Sequence, residues 1–136
     1  MIELTVNLRT KPRMINNYVP EQGDIIKLNL SPVKGHEQGG YRSAVVITKK
    51  IYNSKSNTIL ICPITSKIKR YPYEVYFETK DLIDKKSGEP AENISGVVLV
   101  DHLKSIDYKA RKITFSSRVE ESVLWDILAK IKTLTD

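Results

Sequence analysis

Short runs of β-branched and aliphatic residues, separated by turn residues, recur along this chain and limit the folds open to it. The runs are 24–30, 43–49, 58–64, 73–79 and 96–100. Such runs are typical of strands, because branched side chains fit a half-buried pleated surface. The connections between them are short, so most neighbouring strands are expected to pair antiparallel. The pattern predicts a mainly β protein of the α+β type, built on a small, strongly curved antiparallel sheet or barrel.

The chain ends in a segment with helical periodicity, which predicts a C-terminal amphipathic helix. Its apolar face comprises Val119, Val123, Leu124, Ile127, Leu128, Ile131 and Leu134. Ser117 with Glu120 three residues later predicts a capping box at the start of this helix. Trp125 lies just off the apolar arc, which predicts a half-buried position at the edge of the core. The two segments before the helix, 104–110 and 111–117, are expected to form a hairpin.

Composition excludes several classes of protein. No run approaches the roughly 18 apolar residues of a membrane span, and no secretion signal is present, so we expect a cytoplasmic protein without a membrane partner. The single cysteine, Cys62, and the two histidines offer no metal-ligand spacing, so neither a metal nor another cofactor is expected. Cys62 lies in an apolar run and is expected to be a small buried hydrophobe. The formal net charge of +6 favours polyanionic partners.

One polar stretch, 35–42, has no apolar periodicity and combines glycines with ionisable side chains. Arg42 should stand at the start of the strand that follows this stretch, and Thr65 should stand at the end of the next strand. The start and the end of neighbouring antiparallel strands lie at the same edge of a sheet. We therefore expect Arg42 and Thr65 to lie near each other, with the loop that contains Glu37 above them.

The segment after Thr65 adds basic and aromatic side chains to the same edge. They are Lys67, Lys69, Arg70, Tyr71 and Tyr73. Cations interleaved with aromatic rings suit single-stranded RNA, because phosphates pair with the cations and bases stack on the rings. A plain surface arginine, a turn hydroxyl and a solvated basic face explain the same residues, and spacing alone leaves both interpretations open.

Three stretches, in this order, resemble the MazF/PemK-type toxins, the endoribonuclease components of bacterial toxin–antitoxin pairs. They are YVPEQGDIIKLNLSPVKGHEQGGYRSAVVIT at 18–48, CPITSKIKRYPYEV at 62–75 and VLVDHLKSIDYKAR at 98–111. The resemblance implies an SH3-like barrel with short helices that works as a homodimer. It also implies metal-independent cleavage of single-stranded RNA at a short sequence, by attack of the 2′-OH. The products would carry 2′,3′-cyclic phosphate and 5′-OH ends, and translation and growth would be inhibited.

The same resemblance assigns roles to individual residues. Arg42 and Thr65 become the principal catalytic pair, with Glu37 in support. RNA contacts are expected from Lys34, His36, Gln38, Ser66, Lys67, Lys69, Arg70 and Tyr71. His36 occupies a variable position of its motif and is expected to be a loop histidine rather than a catalytic one, and His102 is expected to be structural. A cognate antitoxin with a disordered, acidic tail is the implied protein partner.

Two departures from the family pattern concern the ends of its motifs. Ser43 stands where the family often has Pro, so the exit from the loop is expected to be looser. Residues 1–13 precede the usual family start and are expected to be an N-terminal extension, either an edge strand, a disordered segment or the result of an upstream start. Residues 14–136 are expected to form a single domain, in line with the chain length of 136 residues.

Two alternative functions remain open on the sequence alone. A non-catalytic RNA-binding module would explain the charge and the aromatic residues, but it leaves the spacing of Glu37, Arg42 and Thr65 unexplained. A toxin of the same fold that poisons a DNA topoisomerase would not need Arg42 and Thr65. The complete motif set favours the endoribonuclease.

Overall fold

The structure, a computed structural model, describes residues 17–29, 41–84 and 95–135. Its strands are β1 (Asp24–Asn29), β2 (Tyr41–Val46), β3 (Thr58–Thr65), β4 (Glu74–Phe77), β5 (Leu82–Ile83), β6 (Gly96–Leu99), β7 (Lys104–Asp107) and β8 (Thr114–Val119). Its helices are α1 (Lys50–Asn53) and α2 (Glu121–Thr135), with 3₁₀ turns at Thr79–Asp81 and Val100–His102. The predicted extension, 1–13, lies outside the described residues.

One curled antiparallel sheet contains all eight strands of the described residues. Its order is β4–β6–β3–β2–β1–β8–β5, and β7 pairs with β3 off this path. The long strand β3 is central, because its first half pairs with β7 and its last two residues pair with β6. The predicted fold class, a mainly β, curved antiparallel sheet with a C-terminal helix, is confirmed.

Both faces of the sheet are buried, and each face has its own hydrophobic cluster. One cluster includes Ile25, Val45 and Cys62 and is covered by α2. The other includes Ile26 and Val46 on the opposite face. Successive side chains of a strand point to opposite faces, so a strand buried on both sides reads as a continuous apolar run. This explains why the strand segments appear as unbroken runs in the sequence.

Cys62 is buried in the first of these clusters, as expected of a small hydrophobe. Burial, with a smaller contribution from Asp101, raises the pKa of the Cys62 thiol to about 12. A thiol with so high a pKa is almost wholly protonated at neutral pH and is a poor nucleophile.

Helix α2 begins later than the sequence predicts, and the predicted capping box is wrong. Ser117 lies within β8 and is buried, and its Oγ has no hydrogen-bond partner among the described residues. Glu120 precedes the helix instead, and its carbonyl accepts the backbone N–H groups of Val123 and Leu124, both at 3.0 Å. The strand β8 extends through Val119, so tertiary pairing overrides the local capping signal.

The apolar face of α2 is partly as predicted. Val123 and Ile127 are buried, and the half-buried residues Leu124, Leu128 and Ile131 pack beside them. The prediction for Trp125 is wrong, because its side chain is 62% exposed. No helix in the described part of the chain is long and apolar enough to cross a membrane.

The predicted hairpin before the helix is also wrong. Strand β7 pairs with β3, whereas β8 pairs with β1 and β5. A turn at 108–112 joins β7 to β8. The two segments separate because each buries its apolar residues against a strand distant in the chain, a choice that local pattern does not reveal.

Candidate active site

Strand pairing brings Arg42 and Thr65 to one edge of the sheet. Strands β2 and β3 are antiparallel, and their paired residues are Ala44 with Pro63, Val45 with Cys62, and Val46 with Ile61. Extended by two residues, this register sets Arg42 opposite Thr65. Residues directly opposite in an antiparallel pair have side chains on the same face. The expectation drawn from strand order therefore agrees with the observed pairing.

Thr65 is held at the end of β3 by contacts on two sides. Its Oγ1 accepts the backbone N–H of Lys67 at 3.2 Å, which turns the chain out of the strand. On the other side Thr65 pairs with Val97 of β6. A Cβ atom on the neighbouring Gly96 would lie only 2.3 Å from the Thr65 carbonyl oxygen, so this close approach of two backbones requires glycine.

The loop after Thr65 is organised by one carboxylate. Glu74 accepts the backbone N–H of Lys69 at 3.1 and 3.3 Å and that of Arg70 at 3.1 Å. Arg70 adopts a positive φ of 58°, which is uncommon for a residue other than glycine. From the far side, Lys130 Nζ of α2 donates to the Pro72 carbonyl at 2.8 Å. The loop is thus fixed through its backbone, and the Lys69 and Arg70 side chains are exposed.

A cleft of about 320 Å³ opens beside Thr65. It is lined by Thr65, Lys67, Lys69, Tyr71, Glu74, Leu99, Asp101 and His102. The sequence reasoning identified the first four of these as site residues. It missed Glu74, Leu99 and Asp101, and it assigned His102 to a structural role. The available signal was the pair Asp101 and His102, two ionisable residues that directly follow a buried strand run.

Polar contacts in this cleft centre on Asp101. The hydrogen bond between Tyr71 and Asp101, with the negative charge of that carboxylate, raises the pKa of the Tyr71 hydroxyl. His102 Nε2 lies 3.8 Å from Asp101 Oδ1. The rings of Tyr71 and Tyr73 meet edge to face with centroids 5.9 Å apart. Asp101 therefore links a tyrosine hydroxyl and an imidazole at the mouth of the cleft.

Other predicted site residues lie around this cleft or outside the described residues. Ser66 is exposed directly after Thr65. Arg70 lines a second groove on the outer side of the loop, with Ile68, Tyr71, Glu74, Tyr76 and Val97. Lys34, His36, Glu37 and Gln38 fall outside the described residues. In the part of the chain that is described, no group of three or more His, Cys, Asp or Glu side chains could hold a metal ion.

Comparison with known proteins identifies a family for this chain. The profile of the family described as PemK-like, MazF-like toxin of type II toxin–antitoxin system matches residues 21–135. The endoribonuclease toxin MazF of Escherichia coli K12 is 39% identical over 121 residues, which cover 89% of this chain and 98% of that protein.

Two crystal structures from Deinococcus radiodurans have similar folds. Form I of MazF is 36% identical with a TM-score of 0.66, and the match covers 87% of this chain and 97% of that one. Form II of a MazE–MazF complex is 35% identical with a TM-score of 0.69, and the match covers 87% of this chain and 96% of that one.

Proposed function

The chain belongs to the PemK-like, MazF-like toxin family of type II toxin–antitoxin systems, and we propose that it cleaves single-stranded RNA at the edge formed by Arg42 and Thr65. It is the toxin of a toxin–antitoxin pair, and it is an endoribonuclease. The antiparallel register that sets Arg42 opposite Thr65 is the observation that supports this site most directly.

The proposed reaction uses the 2′-OH of the RNA as nucleophile. The 2′-oxygen attacks the adjacent phosphorus, and the bond to the 5′-oxygen breaks, which leaves a 2′,3′-cyclic phosphate and a 5′-OH. Arg42 suits the charged transition state, because a guanidinium pairs with two phosphate oxygens through parallel N–H donors. Thr65 donates its hydroxyl proton in a hydrogen bond to a developing oxyanion. Glu37 is proposed to support the pair, either as acceptor of the 2′-OH proton or by orienting Arg42.

The cleft and its loop are proposed to bind the RNA strand. Lys67 and Lys69 supply positive charge next to Thr65, and Tyr71 supplies an exposed ring at the mouth of the cleft. Phosphates and unstacked bases are the two features of single-stranded RNA that such side chains recognise.

The protein partners follow from the same family membership. The toxin is paired with a cognate antitoxin, and we propose that a disordered, acidic tail of that antitoxin lies across the basic groove. The formal net charge of +6 suits such a tail. A homodimer is the proposed working unit, and the cytoplasm is its proposed location.

The proposed site is tested by cleavage of a long, mixed-sequence RNA. We expect Arg42→Ala and Thr65→Ala each to slow cleavage by about 100-fold or more, because each removes a group that stabilises transition-state charge. Thr133→Ala is a matched control at the exposed end of α2, and it should cleave like the wild type. Circular dichroism should show that all three variants are folded.

Two further arms identify the chemistry. RNA with 2′-O-methyl groups should remain uncut, and cleavage should persist in EDTA. The new 5′ ends should accept phosphate from a polynucleotide kinase without prior dephosphorylation. Full activity of Arg42→Ala or Thr65→Ala would show that the site is wrongly assigned, and RNA that is bound but never cut would show a binding module instead.

A further inference from the structure

Among the residues that the structure describes, His102 supplies the one imidazole of the cleft beside Thr65, and the proposed reaction still needs an acid for its leaving group. We propose that His102, as an imidazolium, protonates the 5′-oxygen as it leaves. This inference rests on the proposed RNA cleavage and adds a catalytic residue to it. His102 and Thr65 line the same cleft, so an RNA strand whose phosphate contacts the Thr65 hydroxyl enters the cleft that holds the imidazole.

The other titratable groups of the cleft are poorly suited to this task. The Glu74 carboxylate is occupied by the backbone N–H groups of Lys69 and Arg70. The Tyr71 hydroxyl is held by Asp101, which raises its pKa and so makes it a weaker acid. Lysine and arginine side chains keep their protons near neutral pH, whereas imidazole exchanges a proton between about pH 5 and 8.

The surroundings of His102 suit a residue that contacts a substrate. Its side chain is 59% exposed, so RNA can reach it from solvent. The Asp101 carboxylate, 3.8 Å from Nε2, gives the imidazolium an oppositely charged neighbour on one side. The sequence places both residues in the turn Val100–His102 that follows β6, whose first residues pair with the end of β3 next to Thr65. The fold therefore carries this imidazole in the turn that follows the strand paired with Thr65.

The proposed step balances protons and electrons. A base removes the 2′-OH proton as the 2′-oxygen forms its bond to phosphorus. The bond between phosphorus and the 5′-oxygen breaks, and its electron pair stays on that oxygen. The imidazolium of His102 gives its proton to this oxygen, so the product ends in a 5′-OH. The neutral imidazole then regains a proton from solvent.

The test compares two RNA substrates that differ in one leaving atom. In the first, the leaving atom at the scissile bond is the natural 5′-oxygen. In the second it is sulfur, which departs as a thiolate and needs no proton. We expect His102→Gln to cut the oxygen substrate about 100-fold more slowly than the wild type and to cut the sulfur substrate at nearly the wild-type rate, because general acid catalysis typically contributes about 10²–10⁴-fold.

Control variants distinguish the proposed role of His102 from the proposed RNA cleavage on which it rests. Thr65→Ala should be slow on both substrates, since its role is charge stabilisation. Equal slowing of His102→Gln on both substrates would assign His102 to RNA binding or structure, and unchanged rates on both would remove it from the reaction. Failure of the wild type to cut either substrate would overturn the proposed function itself. Denaturant unfolding should show that His102→Gln is as stable as the wild type.

A pH profile gives a second readout. The wild-type rate on the oxygen substrate should fall as the pH rises and the imidazolium loses its proton, because the acid form is the active one. This fall in rate with rising pH should be absent for His102→Gln, and it should be absent for the wild type on the sulfur substrate. The other titratable groups that line the cleft are Lys67, Lys69, Tyr71, Glu74 and Asp101. If the rate of His102→Gln still falls with rising pH, the pH dependence belongs to one of these groups instead.

Discussion

Charged residues gather at two opposite ends of the sheet, and the two ends use them differently. At one end Asp24 is only 2% exposed and accepts hydrogen bonds from Tyr18 Oη at 2.5 Å, from the Glu21 backbone N–H at 2.9 Å and from Arg118. At the other end lies the cleft beside Thr65, whose lysines and His102 are exposed. A buried charge depends on its internal partners, so loss of one partner destabilises the fold, whereas charged groups gathered at an open cleft remain available to a substrate.

The end around Asp24 is a closed network. Burial, and the hydrogen bond to Asp24, raise the pKa of Tyr18 well above its usual value. Arg118 also donates to the Gln22 carbonyl at 3.1 Å, so it bridges the chain before β1 to strand β8. Three groups would lose their acceptor if Asp24 were removed, and none of them belongs to the cleft.

The largest effect expected from this comparison is on stability. Asp24→Ala should lower the free energy of unfolding by about 3 kcal/mol, because Arg118 loses its nearest carboxylate and keeps only Glu21 and Asp84, at 3.7 and 3.8 Å, while the Tyr18 hydroxyl and the Glu21 N–H lose their acceptor. RNA cleavage per folded molecule should stay within about twofold of the wild type. Urea denaturation and rates normalised to the folded fraction are the two measurements.

Asp126→Ala on the exposed face of α2 is the control for Asp24→Ala, and it should change stability by less than about 0.5 kcal/mol. A strong loss of cleavage by fully folded Asp24→Ala would contradict the assignment of stability to one end and cleavage to the other. It would mean that the buried network also positions the cleft.

Gly96→Ala is expected to have a smaller effect on stability and to slow RNA cleavage as well. The added methyl group of Gly96→Ala would press on the Thr65 carbonyl, so β6 and the end of β3 must separate. Overpacking of this kind typically costs about 1–3 kcal/mol, and a misplacement of about 1 Å can slow a reaction by about 100-fold. Thermal unfolding and single-turnover cleavage should both change, while Ser95→Ala, at the exposed neighbouring residue, should change neither.

The smallest effect is expected at Glu74. Glu74→Gln keeps the shape of the side chain but replaces a charged acceptor by a neutral one, which should cost about 1 kcal/mol. The loop of Lys69 and Arg70 should bind RNA more weakly, so KM should rise several-fold with little change in kcat. Glu121→Gln, at the exposed start of α2, is the matched control. A fall in kcat with unchanged KM would assign Glu74 to the chemistry instead of the loop.

Much of this arrangement was accessible from the sequence because it depends on chain order. Runs of β-branched residues located the strands, and their order alone predicted that Arg42 and Thr65 share an edge. The curled antiparallel sheet and the terminal helix followed from the same patterns.

The remaining features depend on contacts between residues distant in the chain. The pairing of β7 with β3, and the continuation of β8 past Ser117, are set by burial against remote strands. The requirement for glycine at position 96 appears only when β6 meets Thr65. Trp125 lies next to the apolar face of α2 in the helical pattern, yet the folded protein leaves its side chain exposed.

Glu74 fixes the path of the loop through its main chain, while the side chains of the loop supply its chemistry. The carboxylate accepts hydrogen bonds from the main-chain N–H groups of positions 69 and 70, and every residue except proline supplies such a group. The side chain at position 69 can therefore be exchanged while the loop keeps its path, whereas position 70, with a φ of 58°, requires a residue that tolerates positive φ. A library of variants at position 69 that retains Glu74 would test whether the proposed RNA contact of Lys69 sets the sequence preference of cleavage.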